Sequence, residues 1–132
     1  MRPFRDLIVW QKAHTVALAI YRETASFPRD EMYGLTSQMR RSASSVPTNI
    51  AEGSARDGHR EFHQFLAIAL GSAAELEYQI LLSKDLGYLT VAKFDELDKN
   101  IAEVKRMLVA LKRSLTANSQ QLRASAPQGP SA

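Results

Sequence analysis

The chain has 132 residues, with 17 Lys+Arg against 14 Asp+Glu and a net charge of +3 at pH 7. This length fits one compact domain rather than a cofactor-binding domain joined to a substrate domain. The 45% share of hydrophobic residues is too high for a chain that is disordered throughout. The absence of cysteine excludes a disulfide framework, a cysteine-ligated zinc site, an iron–sulfur cluster and a thiol nucleophile.

The N-terminal sequence carries no apolar signal core, and charges or amides interrupt the apolar stretches before the ~20 residues of a membrane span. We therefore expect a cytoplasmic protein without membrane contact. The sequence pI of ≈ 9.4 permits contact with nucleic acid without requiring it.

Apolar residues recur every three or four positions along the first segment, which predicts a helix over about 6–26. Asp6 is its predicted N-terminal cap, since a carboxylate accepts hydrogen bonds from the free N–H groups of a first turn. The apolar stripe runs from Trp10 to Phe27. Pro28 then predicts the end of the helix, because proline disfavours helical geometry in the residue before it.

The second predicted helix covers about 31–54, and its inward residues are Leu35, Met39, Ala43, Val46 and Ile50. Pro47 lies inside this pattern and predicts a kink, because proline cannot donate the helical hydrogen bond. Gly53 is the predicted helix end.

The third predicted helix covers about 58–86 and ends at Gly87. The main apolar seam of this helix consists of Phe62, Leu66, Ala69, Ala73, Leu76 and Ile80. A second apolar set widens the seam and consists of Phe65, Ile68, Leu70 and Leu81. Two apolar faces on one helix predict that a neighbouring subunit covers the outer one.

The fourth predicted helix covers about 90–115 and begins at Thr90 as N-cap. Its apolar residues repeat in a heptad-like 3-4 pattern: Phe94, Leu97, Ile101, Val104, Leu108, Leu111 and Leu115. The pattern is lost over 116–132, where Ser, Gln, Ala and Pro predict a flexible, disordered tail. Together the elements predict an all-α, up-down-up-down, left-handed four-helix bundle over 1–115.

Five blocks of sequence resemble the bacterial family of 23S rRNA intervening-sequence proteins, and the likeness extends roughly over 4–115. The blocks are DLIVWQKA at 6–13, YGLTSQMRR at 33–41, VPTNIAEG at 46–53, GSAAELE at 71–77 and LGYL at 86–89. Many relatives carry a basic residue where Leu70 stands, so this chain departs from the family pattern there.

The resemblance implies a left-handed bundle that assembles into a ring, typically a homopentamer. It also implies kinship with the accessory variability determinant of diversity-generating retroelements, a basic barrel that binds a reverse transcriptase and nucleic acid. Some relatives are encoded inside insertions in 23S rRNA genes, which suggests a link to rRNA. No enzymatic activity is implied.

A polar set on the second predicted helix includes two adjacent arginines and three residues that share the face of the second arginine. Its members are Arg40, Arg41, Ser45, Asn49 and Glu52, with Glu75 and Glu77 on the third helix as the expected partners of the arginines. One interpretation is a recognition surface for RNA phosphate or a partner protein. The other, which we favour, is an ion-pair and amide network that joins helices or subunits.

Two basic rows run along the fourth predicted helix at seven-residue spacing: Lys99, Arg106 and Arg113, and beside them Lys105 and Lys112. The stretch 105–123 holds five basic residues and no acidic one. These rows predict phosphate contact, copied around a ring. The alternative is an ordinary solvated helix face with cations near its C-terminus.

His59 and His63 are four residues apart and could share a metal ion, but two ligands are too few for a strong site. We expect no metal and no cofactor. No nucleophile elbow, Walker A or Gly-x-Gly-x-x-Gly motif occurs, so no enzyme activity is expected. Trp10 and Tyr21 could stack on bases, although Trp10 lies on the predicted core stripe.

The favoured hypothesis is a non-enzymatic, oligomeric bundle that binds structured RNA, rRNA or an RNA–protein complex through the basic rows. The alternative is a ring-shaped protein–protein adaptor that docks a partner enzyme such as a reverse transcriptase.

Overall fold

A computed structural model of the chain describes residues 3–125, with side chains through residue 118. Short 3-10 turns (Phe4–Asp6 and Arg29–Glu31) precede the first two of the four helices that these residues form: α1 (Ile8–Thr24), α2 (Leu35–Ser54), α3 (His59–Asp85) and α4 (Val91–Ser125). Each helix packs against the next along the chain, and α1 also packs against α4. Diagonal helix pairs make no contact within the described range. This is the predicted four-helix bundle with up-down-up-down connections.

The inward stripes of all four helices meet in one core. Its largest fully buried apolar side chains are Ile20, Met39, Val46, Ile50, Leu66, Leu76, Ile80, Ile101, Val104 and Leu108. Each such side chain contributes about 1.5–3 kcal/mol through removal of apolar surface from water. The heptad pattern of α4 is thereby confirmed, because its repeating residues face the core.

The start of α1 differs from the prediction. Phe4–Asp6 form a separate 3-10 turn, and α1 begins at Ile8 with Leu7 as a cap that makes no side-chain hydrogen bond. Asp6 therefore does not cap the helix. The expectation was wrong because the 3-10 turn takes up the residues that would have formed the first helical turn.

Gly53 does not end α2, contrary to the prediction. The helix continues through Ser54, and a Cβ added at Gly53 would lie 2.7 Å from Cβ of Phe65 and 2.8 Å from Cδ1 of Phe62. Real Cβ atoms do not approach other carbons so closely. Glycine is required at this position because α2 and α3 come into close contact there.

The connection between α3 and α4 forms as predicted. Gly87 has φ +82, and the N–H of Tyr88 donates to the carbonyl of Ser83 at 2.8 Å, which is the hydrogen bond of a Schellman motif. Thr90 then caps α4, because its Oγ1 accepts a hydrogen bond from the Lys93 N–H at 3.1 Å.

The fourth helix is longer than the sequence pattern predicted. Residues 116–125 of the predicted tail continue α4 as helix, and 126–132 lie outside the described residues. Loss of the apolar repeat after Leu115 marks where α4 leaves the core, not where the helix ends.

Candidate nucleic-acid interface

The two predicted basic rows of α4 occupy different surroundings. Lys99, Arg106 and Arg113 are exposed, whereas Lys105 and Lys112 are half-buried. The two half-buried lysines lie along the border between α4 and α3, where side chains of α3 approach them.

Lys105 is already paired within the chain. Its Nζ donates to Oε1 of Glu77 at 2.9 Å, and the two side chains are 31% and 35% exposed. The bond crosses from α4 to α3 and neutralises the lysine. Glu77 is therefore a partner of Lys105 rather than of the α2 arginines.

Lys112 and Arg113 make no ion pair among the described side chains. They line a groove of ≈ 370 Å³ together with His63 of α3, and the other lining residues are Val109, Thr116 and Ala117. No carboxylate borders this groove within the described range. Its charged groups are thus free to attract an anion.

A second groove of ≈ 500 Å³ adjoins the first and shares Val109 and Arg113 with it. Lys105, Arg106 and Glu77 complete its charged lining. The two grooves form one continuous surface, called here the basic groove: His63, Lys105, Arg106, Lys112 and Arg113. Lys99 lines neither groove.

Arg40 links α2 to α1 through hydrogen bonds. Its Nε donates to Oγ1 of Thr24 at 3.0 Å, and its Nη2 donates to the carbonyl of Tyr21 at 3.3 Å. The guanidinium also lies 4.9 Å from the centre of the Tyr21 ring. The arginine therefore satisfies a carbonyl near the C-terminus of α1, where a cation is favoured by the helix dipole.

A hydroxyl–amide cluster joins α2 to α3. The Oγ atoms of Ser45 and Ser72 are 2.8 Å apart, and Nδ2 of Asn49 donates to Oγ of Ser45 at 3.0 Å and to its carbonyl at 2.8 Å. The sequence singled out Ser45 and Asn49 but missed Ser72. The only signal for Ser72 was its place among the small residues of α3, which permit close helix approach.

Arg41, Glu52 and Glu75 are exposed, and they form no ion pair among the described side chains. Oε1 of Glu75 accepts a hydrogen bond from Nε2 of Gln79 at 3.3 Å. The expected pairing of the arginines with Glu75 and Glu77 is therefore not formed within one chain, because Arg40 turns to α1 and Glu77 turns to α4.

Trp10 is only half-buried, although the sequence placed it in the core stripe. Its ring stacks on His14 at 5.0 Å between centroids and meets Phe4 edge-on at 4.9 Å. These rings border an open groove of ≈ 470 Å³ between α1 and α2, to which Tyr21 and Pro47 also contribute. One side of Trp10 packs on the core, and the rest lines this groove.

The outer side of α3 carries an apolar face: Ile68, Tyr78 and Leu81 are 53%, 61% and 41% exposed. This bears out the second apolar set for Ile68 and Leu81, whereas Leu70 packs against the core.

By length and composition α3 could also cross a membrane. That is weak evidence, since the core helix of a bundle has the same composition and α3 packs against both α2 and α4.

The two histidines of α3 do not create a metal centre with other ligands. Within the described part of the chain, no three His, Cys, Asp or Glu side chains come together. His59 is exposed at the start of α3, whereas His63 is half-buried beside the cations of α4.

The model of the 23S rRNA-intervening sequence protein family matches residues 5–110 of the chain. The chain belongs to this family. Among solved structures, it resembles the crystal structure of a protein of unknown function from the S23 ribosomal protein family of Bacteroides thetaiotaomicron. The TM-score is 0.72 at 24% identity, over 80% of this chain and 98% of that chain. At this identity the likeness shows the fold alone. No curated protein matches the chain.

The part of this 23S rRNA-intervening sequence protein that matches the family includes Lys105 and Arg106 but ends before Lys112 and Arg113. Of the three groove cations that make no ion pair among the described side chains, Arg106 thus lies inside the matched range, whereas Lys112 and Arg113 lie beyond it.

Proposed function

We propose that this protein is a non-enzymatic, oligomeric bundle of the cytoplasm that binds structured RNA, such as rRNA, through the basic groove. The observation that carries the proposal is the state of three cations: Arg106, Lys112 and Arg113 have no ion pair among the described side chains. The stretch 104–125 contains no acidic residue that could neutralise them from within α4.

Free cations on one surface attract the phosphate backbone, and the release of counterions from RNA then favours binding. The family description refers to intervening sequences of 23S rRNA, which supports RNA as the nucleic acid. Lys99 contributes to the field around the groove rather than to a direct contact, since it lines neither part of it.

We propose that copies of the chain associate through the apolar face of α3 formed by Ile68, Tyr78 and Leu81. Association removes these exposed side chains from water, which favours the oligomer. The resemblance to the family suggests a pentameric ring. A ring repeats the basic groove and raises the effective affinity for one RNA molecule.

The RNA-binding proposal is tested with a fluorescent RNA hairpin and the fourfold charge reversal Lys105→Glu, Arg106→Glu, Lys112→Glu and Arg113→Glu. Wild type should bind with a log–log salt slope of about −3 or steeper, because each neutralised phosphate adds about −0.9. The variant should lose binding while circular dichroism shows unchanged helicity. Unchanged RNA affinity in the variant would contradict the proposal.

Assembly is tested by size-exclusion chromatography with light scattering, with absorbance recorded at 260 and 280 nm. Wild type should elute as an oligomer, and excess 260 nm absorbance should disappear in high salt. The double variant Ile68→Glu/Tyr78→Glu should elute as a monomer. An oligomer of unchanged mass in that variant would exclude the α3 face as the contact.

If copies associate through the apolar face of α3, a second candidate function is a ring-shaped adaptor that docks a partner enzyme such as a reverse transcriptase only when the ring is assembled. In that case bare RNA should bind weakly, and the purified partner should bind wild type but not the Ile68→Glu/Tyr78→Glu variant. A reverse-transcriptase gene next to this gene would favour the adaptor, and a location inside an rRNA insertion would favour the RNA role.

A further inference from the structure

His63 lies beside basic residues of α4, which its position in the sequence did not predict. The spacing to His59 pointed to a shared metal ion, but the structure places the half-buried His63 in the same groove as Lys112 and Arg113 of α4. Three nitrogen-bearing side chains from two helices therefore border one space of ≈ 370 Å³.

We propose that this space, called here the phosphate site, holds one phosphate group of an RNA chain, and that His63 adds a pH-dependent positive charge to it. The proposal deepens the RNA-binding function and rests on it for the source of the phosphate. The site is defined by His63, Lys112 and Arg113.

The chemistry of the lining favours a phosphate. Its charged groups are all hydrogen-bond donors or potential donors, and no carboxylate competes for them within the described range. Arg113 can offer two parallel N–H groups to a phosphate, and Lys112 adds a compact charge. Thr116 is not a donor here, because its hydroxyl already donates to the carbonyl of Lys112 at 3.1 Å.

The remaining lining of the site leaves its charges unopposed. Val109 and Ala117 supply the apolar part of the lining and carry no charge that would oppose a bound anion. Lys105 shows the contrasting arrangement on the same helix, where the Glu77 carboxylate already occupies the position of an anion.

Among the described residues, no carboxylate lines the groove beside His63, so none there would compete with a bound phosphate for the protonated ring. From α4 it faces Lys112 and Arg113, and α2 contributes no residue to the groove. On α3 the titratable neighbours one turn earlier are His59 and Arg60, while Glu61, two residues away, points to a different face of the helix. A bound phosphate would therefore be the main counter-charge of a protonated His63. Binding should take up a proton, so affinity should rise as pH falls through the range in which histidine titrates.

The test compares binding of a short 5′-phosphorylated RNA with its 5′-hydroxyl counterpart at about pH 5.5 and about pH 8, where histidine changes charge. The variants are His63→Gln, which keeps a donor without the charge, and His59→Gln as the matched control. Wild type and His59→Gln should bind about fivefold more tightly at the lower pH, the difference between a charged and a neutral hydrogen bond. His63→Gln should lose this excess and match wild type within about twofold at the higher pH.

Retention of the full pH dependence by His63→Gln would overturn the phosphate site while leaving RNA binding itself intact. A preference for the 5′-phosphorylated RNA would identify a terminal phosphate as the ligand, and equal binding would identify an internal phosphodiester.

A second measurement separates the site from the RNA-binding function. Inorganic phosphate is titrated into the isotope-labelled protein while the NMR signal of the His63 ring Cε1–H is followed. A saturable shift that is lost in Lys112→Gln supports the site even if no RNA binds. Absence of a shift, or a shift unchanged in Lys112→Gln, overturns it.

Discussion

Arg40 of α2 and the pair Lys112 and Arg113 of α4 illustrate two uses of the same residue types. Arg40 of α2 is engaged within the chain, where it bonds to Thr24 and to a carbonyl of α1 and lies over the Tyr21 ring. Lys112 and Arg113 of α4 make no ion pair among the described side chains and border an open groove. The partner groups, and not the charge itself, separate a cation that holds the fold from one available to a ligand.

The same contrast occurs within α4. Lys105 and Lys112 occupy equivalent heptad positions and are both half-buried, yet the first is ion-paired with Glu77 of α3, whereas the second lines a groove with His63. The neighbouring helix therefore decides which lysine retains its attraction for an anion.

The largest effect is expected from Lys112→Glu/Arg113→Glu, which reverses two of the three groove cations that make no ion pair among the described side chains. RNA affinity at low salt should fall by about 100-fold, and the free energy of unfolding should change by no more than about 0.5 kcal/mol. Fluorescence anisotropy and urea denaturation measure the two quantities. The matched control Arg22→Glu/Arg29→Glu makes the same charge change at exposed sites distant in sequence. Equal loss of affinity in the control would mean that net charge alone governs binding.

Arg40→Ala should show the reverse of this result, with a loss of stability and little change in RNA affinity. Loss of two charged hydrogen bonds at the C-terminal end of α1 should lower the free energy of unfolding by about 1.5–3 kcal/mol. RNA affinity of the folded variant should stay within about twofold of wild type. Arg40→Lys keeps the positive charge but lacks the planar guanidinium with its several N–H donors, so its stability should be intermediate. A variant of full stability with weakened RNA binding would break the comparison between the two sets of cations.

Glu77→Gln should convert Lys105 from a paired to an available cation. RNA affinity should increase about two- to fivefold, and the salt slope should steepen by about one unit, since one more phosphate can be neutralised. Glu75→Gln, at an exposed position without an ion pair in the described structure, is the control and should leave both quantities unchanged. If both variants bind RNA equally well, Lys105 lies outside the binding surface.

The smallest effect concerns the partly exposed ion pair between Lys12 of α1 and Glu103 of α4, whose atoms Nζ and Oε1 are 2.9 Å apart. A hydrogen bond from the Lys12 ammonium, together with its charge, lowers the pKa of Glu103. A lowered pKa in the folded state stabilises the protein above the pKa of the unfolded glutamate, about 4.3, and this contribution is lost as pH falls through the folded value. Thermal unfolding of Glu103→Gln should therefore show a slightly smaller drop in Tm on acidification than wild type does. An identical pH profile would show that the pair adds nothing measurable.

The site was only partly accessible to prediction. The basic rows were predicted from their seven-residue spacing, and four of their members, Lys105, Arg106, Lys112 and Arg113, line the two adjoining grooves, whereas Lys99 lines neither. Sequence reasoning could not foresee that Glu77 neutralises Lys105 or that His63 lines the same groove as Lys112, because neither arrangement follows from spacing along a single helix. Ser72 was missed for the same reason, since its partner Ser45 lies on another helix.

The sequence by itself determined the four helices, their inward faces and several of their ends. The seam of α4, the left-handed Gly87 and the Thr90 cap depend on residues close together along the chain, where periodicity and local hydrogen bonding dominate. Only the tertiary structure decided why Gly53 must be glycine and which cations remain without a partner. Those features depend on how closely two helices approach and on which side chains meet across them, and packing of the whole core sets both.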